Sequence, residues 1–90
     1  MKASIKGRGA EANIEARLRK EIAKWTEKMQ SELKKAESRD KNVMDNIKAY
    51  VNDSGYFLKK GDLIRSFEAI IWAWAWLEIG KELGIIKKNN

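Results

Sequence analysis

Apolar residues recur at steps of three and four along three stretches of the chain, a spacing that predicts three helices. The first stretch carries Ile14, Leu18, Ile22, Trp25, Met29, Leu33 and Ala36, with polar or charged residues at almost every other position. One stripe of this kind buries one side of a helix over about 11–38 and shows the other to water. Glu15 with Arg19 and Lys28 with Glu32 lie four apart, placed to lace the exposed side. A polar segment, Ser38–Lys41, then turns the chain, with Asp40 as a helix cap. The second helix, about 42–60, presents Val43, Ile47, Tyr50, Val51, Ser54, Phe57 and Leu58. Gly55 inside it reads as a close contact with another helix, since an exposed glycine there costs about 1 kcal/mol relative to alanine.

The third helix, about 63–83, is different. Leu63, Phe67, Ile70, Trp74 and Leu77 form its main stripe, beside the small residues Ala69, Ala73 and Gly80. The WAWAW run looks like strand alternation, but the apolar set continues at helical spacing on both sides. On a helix Trp72 and Trp76 fall about 40° apart and Trp74 lies nearly opposite. Ile64, Ile71, Trp72 and Ile79 therefore fall outside the main stripe, interleaved with Arg65, Glu68 and Glu82. A helix apolar almost all round is either central or covered by something more. Those four residues are the candidate interface.

Between the second and third helices stands Lys59-Lys60-Gly61-Asp62. Gly61 is suited to the left-handed conformation that stops a helix, and Asp62 to capping the next. So short a link makes an antiparallel hairpin. The expected fold is all-α: a three-helix up-and-down antiparallel bundle over 11–84. Met1–Ala10, with Gly7 and Gly9, reads as a flexible basic tail, and 85–90 as a second basic tail.

Charge refines this picture. The chain of 90 residues has 19 Lys and Arg against 13 Asp and Glu, a net charge of +6. Lys2, Lys6 and Arg8 at one end, with Lys87 and Lys88 at the other, hold most of the excess. A strongly basic docking face on the bundle is not evident. Neither cysteine nor histidine occurs, which removes disulfides, thiolate zinc sites and the commonest general base near neutral pH. Met1–Ala10 lacks the apolar run of a signal peptide. The longest apolar segment, Ala69–Leu77, falls far short of the roughly 20 residues of a membrane span. A soluble, cytoplasmic protein with no membrane contact is the expectation.

Few residues invite chemistry. Asp53, one turn from Tyr50, reads as a boundary carboxylate bonded to a tyrosine or a helix end rather than as a buried acid. Glu68 and Glu78 point about 80° apart on the third helix, too divergent for a carboxylate pair. No catalytic, cofactor or metal site is expected, and no enzyme. The tryptophans lack the interleaved Lys and Arg of a base-stacking platform, so packing is their favoured role.

From Tyr50 onward the chain resembles the archaeal domain-of-unknown-function family 357. The matching residues are Tyr50, Asp53, Tyr56, Phe57, Leu58, Lys60, Gly61, Asp62, Phe67, Glu68, Ala69, Ile70, Ala73 and Leu77. Arg17–Leu33 is similar to that family's first helix, with less specific residues. The resemblance implies a three-helix bundle with no established activity, and Ala75 and Glu78 depart from its pattern. The functional expectation is an interaction module that buries Ile64, Ile71, Trp72 and Ile79 in a homodimer or against a protein partner. A second reading is an accessory nucleic-acid binder acting through the basic tails.

Overall fold

A computed structural model of the chain describes residues 2–88, with side chains over 13–88. The order is α1 (Lys2–Lys35), β1 (Ala36–Ser38), α2 (Lys41–Lys59), α3 (Leu63–Glu82) and β2 (Ile86–Lys88). It is an all-α three-helix bundle with a small antiparallel ribbon, β1 on β2, across one end.

α3 is the central helix. It packs against both α2 and α1, whereas the backbones of α1 and α2 hardly approach one another. Centrality explains much of its apolar excess: Leu63, Ala69, Ile70, Ala73 and Leu77 are all buried, on a wide arc. With Met29 of α1, Ile47 of α2 and Ile86 of β2, the last three form the core. Trp25 meets Trp74, and Glu32 meets Lys81 seven residues further along both helices. α1 and α3 therefore run parallel, as first and third members of an up-down-up bundle, in the heptad-like register of shallow helix crossing.

The hinge forms as its residues dictate. Gly61 adopts φ +78°, and its N–H donates to the Leu58 carbonyl at 3.0 Å while Asp62 N–H reaches Phe57 at 2.9 Å. Asp62 Oδ1 accepts from Arg65 N–H at 3.2 Å, capping α3. A β-branched residue at this φ is strained, so Gly61→Val should cost about 2 kcal/mol, above the roughly 1 kcal/mol typical of a point change. Thermal unfolding followed by circular dichroism measures it; a parent-like melt would mean that the turn relaxes at no cost. Asp40 caps α2 similarly, accepting from Asn42 N–H at 2.8 Å.

Several boundaries and contacts differ from expectation. α1 begins at Lys2, so the stretch read as an N-terminal tail continues the helix. No proline interrupts it, and Gly7 and Gly9 weaken a helix without blocking it. The side chains of Lys2, Lys6 and Arg8 lie outside the described residues, as does Met1. At the other end Ile86–Lys88 is a strand rather than a tail, because Ile86 has a buried site to fill. Asn89 and Asn90 lie outside the described residues. α1 stops at Lys35, and Ala36–Ser38 leaves helical geometry to pair with that strand. Gly55 makes no close helix contact: a Cβ there would meet nothing within 4 Å. Glu32 turns from Lys28 toward Lys81 on α3, at 2.7 Å, while Glu15 and Arg19 pair on α1 at 3.7 Å.

Candidate functional site

The outer side of α3 is where the bundle leaves apolar surface uncovered. At 100° per residue, Ile64, Ile71, Trp72, Ala75 and Ile79 share one face of α3, opposite the buried Ala73 and Leu77. Exposure is 69% for Ile64, 42% for Ile71, 57% for Trp72 and 47% for Ile79, with Leu83 just beyond at 68%. Residues that seek burial thus lie in water along about 28 Å of helix. Single exposed apolar residues are ordinary on a protein surface, but several gathered on one side of one helix are not.

Each flank of this face is fixed by a neighbouring helix. On the α2 side Tyr50 stacks on Trp72, ring centroids 6.3 Å apart and planes within 20°. On the α1 side Trp74 meets Trp25 edge-on at 5.6 Å and donates its Nε1–H to the Trp25 carbonyl at 3.1 Å. Lys24 and Lys28 both lie over the Trp25 ring. Trp25 and Trp74 are accordingly packing groups with satisfied polar handles. Beside the first turn of α3, Ile14 and Leu18 of α1 line an open apolar cleft with Leu63 and Ile64. Apolar surface thereby continues onto α1 at that end, where Ile14 is exposed.

The charges on α3 are distributed unevenly. Glu68, Glu78 and Glu82 are exposed and stand among the outward apolar residues, and none has a partner among the described residues. The two basic residues of α3 are engaged elsewhere. Arg65 reaches back to Asp62 at 3.7 Å and lies over the Phe57 ring. Lys81 is held by Glu32, whose carboxyl is kept below the ordinary range first by the Lys81 hydrogen bond, with partial burial opposing.

The remaining candidates are structural or solvated. Gly61 and Asp62 build the hinge, as described. Tyr50 is half-buried against Trp72, while Asp53 is exposed and its carboxylate has no partner among the described residues. Tyr50 and Asp53 thus do not form one polar site. Among the described residues no group of three or more carboxylates, cysteines or histidines could hold a metal ion. No helix of the described residues is long and apolar enough to cross a membrane.

One buried polar contact was not foreseen. Ser54 of α2 and Ser66 of α3, both buried, donate reciprocally: each hydroxyl reaches the other's backbone carbonyl at 2.8 Å. Their hydroxyl oxygens stand 3.1 Å apart. This clasp lets the two helices approach where neither side chain is large. Sequence offered one half of the signal, a serine on the apolar side of α2, and nothing that chose its partner.

A family model described as "Protein of unknown function (DUF357)" matches residues 15–86. The crystal structure of protein AF1782 from Archaeoglobus fulgidus, a protein of that same family, is similar at 50% sequence identity with a TM-score of 0.81. The similarity covers 84% of this chain and 99% of that one. No curated protein matches this chain.

Proposed function

This chain belongs to the DUF357 family of proteins of unknown function, and on its own geometry we propose that it is a non-enzymatic interaction module that docks a protein on the outer face of α3. The supporting observation is the row Ile64, Ile71, Trp72 and Ile79, extended by Leu83, exposed on a helix whose other side already fills the core. Removing that row from water is worth about 25 cal/mol per Å² of apolar area, a driving force for association that folding has left unused. Trp72 is the natural anchor, because a tryptophan held by a neighbouring ring loses little freedom on binding. No constellation of acid, base and nucleophile competes with this reading among the described residues.

Replacing Trp72 with Glu tests it. The side chain is more than half exposed but stacks on Tyr50, so folding stability should fall by about 1 kcal/mol. Association should change far more. The parent is expected to bind a hydrophobic dye in the folded state, or to self-associate in light scattering across a dilution series, and the variant to lose most of that signal. A parent that is strictly monomeric and binds no dye would sink the proposal.

A further inference from the structure

We infer that the occupant of the α3 outer face is a basic amphipathic helix of another protein, with Lys or Arg set among its apolar residues. The inference rests on the docking role proposed above and adds the chemistry of the partner. Its basis is charge. The face combines Ile64, Ile71, Trp72 and Ile79 with the carboxylates of Glu68, Glu78 and Glu82, which have no partner among the described residues. The two cations of α3 already lie beside other carboxylates, Arg65 by Asp62 at 3.7 Å and Lys81 by Glu32 at 2.7 Å. An acidic apolar stripe thus stands on a chain whose net charge is +6. Three carboxylates closed off from water without cations would oppose binding, whereas lysines or arginines facing them complete the interface.

The same distribution argues against other occupants. A second copy laid antiparallel across Ala75 places Glu68 opposite the other copy's Glu82 and Trp72 opposite its Glu78. A parallel arrangement sets each carboxylate against its own counterpart. Like charges face each other in both, and like-charge juxtaposition disfavours a partner. Phosphates of nucleic acid and of anionic lipid meet the same repulsion. The shape points to a helix. α2 flanks α3 at Tyr50–Trp72 and α1 flanks it at Trp25–Trp74, leaving open the side where a fourth helix of a bundle would pack. The row from Ile64 to Leu83 suits about five turns of such a helix.

Two synthetic probes decide the matter by titration calorimetry: a 20-residue amphipathic helix of leucine and lysine, about the span of the row, and its leucine–glutamate counterpart. The full chain should bind the lysine peptide and not the glutamate peptide. Affinity should fall roughly tenfold in Glu68→Lys/Glu82→Lys, and should weaken as salt is raised. Trp72→Glu adds a negative charge yet removes apolar contact, so weaker binding of the lysine peptide by that variant places the site on this face. Circular dichroism verifies that each variant is folded. Equal binding of both peptides, or unchanged binding by the charge-reversed variant, would overturn the inference while leaving a docking face in place. So would a parent dimer that Trp72→Glu splits. Failure of the lysine peptide to bind overturns it too; dye binding by the parent then says whether the docking proposal survives alone.

Discussion

Ser66→Leu is expected to lower the stability of the bundle by about 3 kcal/mol, where Ser66→Ala lowers it by only about 1 kcal/mol. The difference follows from what each change leaves behind. Ser66 is fully buried, and its hydroxyl reaches the Ser54 carbonyl at 2.8 Å. Alanine deletes that hydroxyl but orphans no hydrogen: the Ser54 hydroxyl still donates to the Ser66 carbonyl, which belongs to the backbone. The Ser54 carbonyl keeps its place in the α2 ladder. Leucine also brings carbon into a gap already closed to an oxygen–oxygen distance of 3.1 Å. Either α2 or α3 must move, and α3 is packed on α1 as well. Urea unfolding of the two variants measures the contrast. Leu and Ala variants of equal stability would mean that the helix spacing is not set at this pair.

The clasp also illustrates what was legible in the sequence. The three helices, the central standing of α3 and the hinge follow from local rules: a 3.6-residue period, a glycine at φ +78° and an aspartate at a helix start. The outward set Ile64, Ile71, Trp72 and Ile79 was legible for the same reason, since a single helix fixes which residues share a face. Contacts between elements were not. Glu32 has Lys28 four residues away, yet pairs with Lys81 at 2.7 Å because the parallel packing of α1 and α3 brings that ammonium closer. Ala36 continues the apolar spacing of α1 but ends in a strand, because three residues reading Ala-Glu-Ser carry no usable alternation and only their partner strand defines them. Gly80 was read among the small residues of α3 without any sign of what approaches it. Asp53 fits a boundary position by spacing and proves to be solvated.

That approach to Gly80 supplies the other large expected effect: Ile86→Asp should destabilise the protein by about 3 kcal/mol. Ile86 is 3% exposed, and its side chain occupies the space a Cβ on residue 80 would need: Ile86 Cδ1 would stand 2.5 Å away. The glycine of α3 is thus a socket for the C-terminal strand. Gly84 at φ +70° turns the chain back, and Ile85 N–H reaches the Gly80 carbonyl at 2.9 Å. Ser38 then pairs with Ile86 and Ala36 with Lys88. A carboxylate in this socket would be cut off from water, so the strand should detach rather than bury it. Detachment sets a ceiling on the cost, namely the free energy of opening this segment alone. Two consequences are measurable. Ile86→Asp and a chain ending at Gly84 should unfold at the same urea concentration, both below the parent. Hydrogen exchange should quicken at Arg39, whose N–H reaches the Ile85 carbonyl at 2.8 Å, while the amides around Ile70 keep their protection relative to global unfolding. A variant that melts with the parent would show that β2 contributes nothing to the core. One that loses protection throughout α3 would show that the strand and the bundle open as a single unit.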